Sequence, residues 1–208
     1  MTRQRGFAED EALLKIMQLF WAKGYEATSV ADLCEVTDLG RGSLYAAFGS
    51  KQEVYERSLR HYVDVVNRHL RDQLSRQVPI RQAVRDLLLE RVDDSLTERD
   101  RPGCLLVGAI VERAAQDPTA ARIAQDAINA TRSAFASALH SARAAGQIPY
   151  EADVESIATF LTTMVQGLRV MSISLPDRNL LASVIDAALE ALPEQATGRT
   201  GNRQGATP

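Results

Sequence analysis

The 208-residue chain contains only two cysteines, Cys34 and Cys104, one tryptophan, and 5% aromatic residues in all. Two distant thiols form no disulfide framework, which fits a reducing compartment. Long apolar runs are missing: Cys104–Val111 is far short of the ~20 residues that cross a bilayer. Met1–Glu11 has no apolar centre of leader length, so the expectation is a cytoplasmic protein with no membrane partner. His61, His69 and His140 fall at no metal-ligand spacing, and no CxxC or HxxxH occurs. There is no Gly-rich phosphate loop, nucleophile elbow or evident carboxylate pair, so neither an enzyme nor a cofactor is expected. Sustained Val/Ile/Thr alternation is also absent, which argues against strands. The formal net charge of −3 gives no bulk attraction for a polyanion. Any such partner would need a local basic patch.

What is present is helical periodicity on an ordinary globular composition, 45% apolar and 25% charged. The spacing predicts an all-α chain of about nine helices. A first helix over Ala8 to Lys23 places Leu13, Ile16, Met17 and Phe20 on one face, and Gly24 stops it. Ser29 caps a short helix with Asp32 three residues on. Thr37-Asp38-Leu39-Gly40 reads as a tight turn and Arg41–Phe48 as a second short helix. Ser50-x-x-Glu53 is a capping box that opens a long helix with Tyr55, Leu59, Tyr62, Val66 and Leu70 on its stripe. Further helices follow Pro79, Pro118, Asp153 and Pro176, with a polar loop over Thr97–Gly103. The apolar run Cys104–Val111 is expected to be central in the second domain. Residues 194–208, rich in glycine and poor in apolar residues, read as a disordered tail.

Two short helices joined by a tight turn and braced by a longer one form a helix-turn-helix. In that geometry the second helix presents its N-terminal side chains to the DNA major groove. Leu44 and Phe48, at i and i+4, pack inward, leaving Arg41, Gly42, Ser43, Tyr45 and Ala46 outward. Arg41 and Lys51 concentrate positive charge in a segment free of acids. On an arbitrary helix they would be solvated surface charges. Gly42 costs ~1 kcal/mol against Ala in a helix, and clearance for a close DNA backbone would account for it. Thr28 and Ser29, at a helix N-terminus, can donate to a phosphate.

Phe20-x-x-x-Gly24-Tyr25-x-x-Thr28-Ser29-Val30-x-Asp32-Leu33, followed by Gly42-Ser43-Leu44-Tyr45-x-x-Phe48-x-Ser50-Lys51, closely resembles the N-terminal domain of TetR/AcrR-type regulators. The resemblance covers about residues 7–66 and leaves 67–193 as a second domain. It implies a homodimeric repressor of double-stranded operator DNA with a ligand-binding C-terminal domain. It also implies that Tyr45 and Lys51 hold phosphates while Arg41, Ser43 and Ala46 face bases. Three positions depart from the family pattern. Asp38 stands where Gly is frequent in the turn, Gly40 where Ser or Thr caps, and Ala46 where His or Tyr is common. The operator sequence therefore does not follow from the resemblance.

The same resemblance suggests dimerisation through the last two helices, whose stripes are Ile157, Leu161, Met164 and Leu168, then Leu181, Val184, Ile185, Ala188 and Leu192. The alternative is that both stripes pack within the chain. A pocket for an unknown small-molecule effector is expected among the central helices, lined by Tyr62, Val66, Leu88, Leu105, Phe135, Phe160 and Met164. Such a lining favours an apolar or aromatic effector. Cys104, at a helix start after Pro102-Gly103, sits where a dipole can activate a thiol, and similar segments in some relatives sense electrophiles or oxidants. No lysine follows Lys51 to stabilise a thiolate, so a packed structural cysteine is the competing reading. A helical scaffold that keeps the fold without specific DNA binding is the alternative function.

Overall fold

The structure is a computed structural model that describes residues 2–97, 104–190 and 192–193, with side chains from residue 9 onward. Among the described residues the regular elements are nine helices. They are α1 (Thr2–Lys23), α2 (Val30–Thr37), α3 (Arg41–Phe48), α4 (Lys51–Leu74), α5 (Ile80–Thr97), α6 (Leu105–Arg113), α7 (Pro118–Ala144), α8 (Val154–Ser174) and α9 (Arg178–Glu190). The expected tail at 194–208 and most of the expected loop at 98–103 lie outside the described residues.

Local chemistry fixes most helix ends. Gly24, at φ 80°, ends α1 in the left-handed region and donates its N–H to the Phe20 carbonyl at 2.9 Å. Ser29 and Asp32 close a reciprocal capping box on α2, and Ser50 with Glu53 does the same on α4. Asp117, fully buried, caps α7 by accepting from the backbone of Thr119 and Ala120, with Pro118 in the first turn. Asp153 caps α8, and Asp177, rather than Pro176, caps α9.

Two apolar clusters organise these helices. The first joins α1, α2, α3 and the front of α4 to α6 and the front of α7, around Phe20, Leu33, Leu44, Tyr55 and Leu59. The second gathers the end of α4, α5, the rest of α7, α8 and α9 around Leu88, Phe135, Leu161 and Ile185. α4 crosses from one to the other between Val66 and Leu70.

Two expectations need correction. α6 is not enclosed at the centre of the second domain: Leu105, Leu106 and Ala109 are buried, but Val111 is 81% exposed. Its apolar face completes the first cluster, because an apolar helix lying over a junction needs only one covered side. The stripes assigned to dimerisation are mostly internal. Leu161, Leu168, Leu181, Ile185, Ala188 and Leu192 are buried within the chain, while Ile157 and Met164 pack against that core. Of those residues only Val184 is an exposed one. The outward row is a different one, including Phe160, Val170 and Met171 on α8 with Leu180 and Val184 on α9.

Candidate DNA-reading head and effector cavity

The turn between α2 and α3 is built on Asp38 at φ 55°, ψ 32°. A left-handed turn residue is usually glycine, and the short polar side chain of aspartate is among the few others that accept it. The Leu39 N–H reaches back to the Cys34 carbonyl at 3.2 Å and closes the turn. α3 then starts at Gly40, which offers no side-chain cap. Leu44 and Phe48 are buried, and Arg41, Gly42, Ser43, Tyr45 and Ala46 form one exposed surface. A methyl group added at Gly42 would meet nothing in the chain within 4 Å, so its own fold does not require glycine there.

The head sorts its cations. Lys23 is held by Asp32 at 3.0 Å, and Arg57 by Glu9 at 2.7 Å, where it also donates to the Ala47 carbonyl and pins the end of α3. Arg41 and Lys51 have no carboxylate partner among the described residues. Lys51 rests its Nζ 4.2 Å from the centre of the Tyr25 ring, at the N-terminus of α4. Asp32 accepts the Ser29 N–H and pairs with Lys23, which holds its carboxyl down at about 2. Glu53 is lowered in the same way by the Ser50 N–H. Both carboxylates therefore stay ionised as caps.

Ser29 is exposed, with its hydroxyl accepting the Asp32 N–H and bonding the Asp32 carboxylate. Thr28 is fully buried and its hydroxyl donates to the Gly24 carbonyl at 2.7 Å, so a side-chain phosphate contact does not fit this geometry. Gly49 has φ 77° and ψ −141°, and a Cβ there would run into the Glu53 carboxylate. Only glycine allows α3 to turn into α4 with the capping box intact.

A lock that the sequence did not reveal ties this head to α6. The Glu112 carboxylate accepts the backbone N–H groups of Tyr25 at 3.0 Å and Glu26 at 2.8 Å. Arg113 lies 4.1 Å from the Tyr25 ring centre and bonds Glu26 at 2.9 Å. The loop between α1 and α2 is thus gripped from the second domain.

At its other end α6 begins at a cavity between the two clusters. That cavity is small, about 30 Å³ in volume. Of the residues expected to line a pocket, Tyr62 and Val66 do so, and so does Cys104. Leu88 and Phe135 are fully buried in the second cluster, and Leu105 packs in the first. Met164 packs against the second cluster, and Phe160 lies on the outside. Missed from the sequence were Arg91, Gln166 and Arg169, which line the same space. A signal existed: Arg91 continues the stripe of Leu87 and Leu88, and Arg169 the stripe of Leu161 and Val165. A cation in the register of buried apolar residues marks a buried polar feature.

Cys104 is the N-cap of α6, with its Sγ 3.4 Å from the Tyr62 hydroxyl, which accepts a 2.8 Å bond from Arg169. Burial beside Cys104 pushes the Tyr62 phenol far up, so it stays protonated. No group of metal-ligating side chains occurs among the described residues, and none of their helices is long and apolar enough to cross a membrane.

A braced helix-turn-helix on one end and a cavity-bearing helical domain on the other are the architecture of a helix-turn-helix DNA-binding regulator. Residues 13–57 match the model of bacterial regulatory proteins of the tetR family, and residues 80–188 that of a tetracyclin repressor-like C-terminal domain. The chain belongs to the TetR family of transcriptional regulators. It is 28% identical over 194 residues to the HTH-type transcriptional repressor ComR of Escherichia coli (strain K12), covering 92% of each chain. Among solved structures it is similar to a cysteine mutant of the TetR family transcriptional regulator CifR complexed with 26-bp double-strand operator DNA. There the identity is 32% and the TM-score 0.81, over 88% of this chain and 96% of that one. The reduced form of Escherichia coli NemR shares the fold at 15% identity and a TM-score of 0.82, over 91% of this chain and 98% of that one.

Proposed function

We propose that this regulator is a homodimeric repressor that occupies a palindromic operator and leaves it when a small molecule fills the cavity between its two clusters. The observation that carries this reading is that two helices join the cavity to the reading head. α4 starts at Lys51 and lines the cavity with Tyr62, Val63, Val66, Asn67 and Leu70. α6 starts at Cys104 and ends in the Glu112–Arg113 grip on Tyr25 and Glu26. The resting cavity is small, and in this reading a larger occupant parts these helices. The recognition helices of a dimer must fit grooves ~34–36 Å apart, and a small tilt of α4 removes that fit.

In this reading Arg41, Ser43 and Ala46 face bases, while Ser29, Tyr45 and Lys51 hold phosphates and Gly42 gives clearance. The second copy covers the outward apolar row of α8 and α9. Gly167, where an added methyl would meet nothing within 4 Å, sits in that exposed face and lets helices approach closely. A thiol-reactive effector would meet Cys104, the cavity's own thiol. The site of action is the cytoplasm, where the operator is.

The experiment is selection of bound sites from random DNA by the purified protein, followed by light scattering of Val184→Glu. The expected result is an inverted repeat bound by a dimer, and a monomeric variant with weakened operator binding. Recovery of no shared sequence would favour the scaffold alternative. A variant that stays dimeric would move the interface elsewhere.

A further inference from the structure

Two arginines are buried in the cavity wall, and one of them, Arg169, has no ion-pair partner among the described residues. Arg169 is 5% exposed, and its one hydrogen bond among the described residues goes to the neutral Tyr62 hydroxyl. No carboxylate lies within ion-pair distance of it among the described residues. Arg91 is 9% exposed, and its Nε is buried without a hydrogen-bond partner. It pairs loosely with Asp94 at 3.5 Å and Glu90 at 3.8 Å, and Glu90 is also bonded to His69 at 2.8 Å. Gln166 adds a buried side-chain oxygen with no donor. A lysine so placed could shed its proton, but a guanidinium cannot. Burying the Arg169 charge without a counter-ion is costly, and the cost is relieved when an anion arrives.

The rest of the lining is apolar, including Val63, Val66, Leu70 and Val165. We infer that the cavity is a site for a small organic carboxylate with an apolar body, its carboxylate held by Arg169 and Arg91 and its body between α4 and α8. The planar fork of arginine matches a carboxylate in two parallel hydrogen bonds. The apolar or aromatic body expected from the sequence is kept, and a carboxylate is added to it. This inference rests on the proposed effector role of the cavity, and it names the chemistry of what enters.

The test uses the full-length protein with octanoate and benzoate as probes, against their neutral counterparts octanamide and benzamide. Binding is read by isothermal titration and by the shift in Tm, and operator release by fluorescence anisotropy of labelled DNA. Both carboxylates should raise Tm and bind at least about tenfold more tightly than the amides. Arg169→Met should remove that preference, and Arg169→Lys should keep part of it. Equal response to the two series, no response to the carboxylates, or an unchanged preference in Arg169→Met overturns the inference. The comparison of carboxylate with amide on the unmodified protein stands even if the methionine variant does not fold. Carboxylate binding that leaves operator affinity untouched would keep the anion site and remove the effector role. Amides that release DNA when carboxylates do not would keep the effector role and remove the anion site.

Discussion

The two halves of the molecule use positive charge in opposite ways. In the reading head Arg41 is exposed and Lys51 half-exposed against the Tyr25 ring, on a surface shaped by α3 and the start of α4, without carboxylate partners. In the second domain Arg91 and Arg169 are buried against apolar walls. Exposed cations interact with a long polyanion by displacing its counter-ions, which makes the attraction steeply salt-dependent. Buried cations meet a single small anion in a space that salt hardly screens. An acidic chain can therefore bind nucleic acid at one end and select an anion at the other.

The largest effect is expected from Gly49→Ala, which tests whether the head depends on its own backbone geometry. The left-handed strain and the broken capping box together should cost about 3 kcal/mol in urea denaturation. A loss under 1 kcal/mol would show that α3 and α4 reach their places by another route. Next, Arg41→Ala should weaken operator binding by about 1–3 kcal/mol and relax sequence preference, as expected if it reads a base. Lys51→Ala should weaken binding to operator and random DNA alike and lower the salt slope by about one. Identical behaviour of these two variants would erase the distinction between reading and holding.

Glu112→Ala addresses the connection between the halves. Leaving the Tyr25 and Glu26 N–H groups without their carboxylate should cost about 1–2 kcal/mol. It should also blunt operator release, and full release would place the coupling in α4 alone. The smallest effect concerns acid. Asp32 has its carboxyl lowered from the ordinary 3.8 to about 2 by the Ser29 N–H and Lys23. A depressed carboxyl stabilises the fold above its unfolded value and loses that contribution as pH falls towards 2. Asp32→Asn should therefore flatten the pH dependence of Tm between about 4 and 2 and change nothing in that slope near neutrality.

Much of the head was legible because its signals are local. Leu44 and Phe48 must share a side of any helix, and Ser29 with Asp32 and Ser50 with Glu53 meet by spacing alone. Gly24 ends a helix for a reason present in the residue itself. The cavity was not legible in that way. Leu88, Phe135 and Leu105 have the same apolar character as Leu87 and Leu106, yet the former fill the cores and the latter face the gap. Whether an apolar residue closes a core or borders a void depends on how neighbouring helices cross. Phe160 turned outward because α8 already presents Leu161, Val165 and Leu168 to the interior.

Helix content, the turn at Asp38, the outward face of α3 and the kinship of the N-terminal domain are decided within short stretches of chain, by caps, periodicity and backbone preference. Tertiary packing decided the rest: that Glu112 grips a loop some eighty residues away, that Thr28 is sealed, and that two arginines share one cavity. These features join segments distant in sequence, and the free energy of a buried charge or an orphaned N–H exists only once the neighbours are in place.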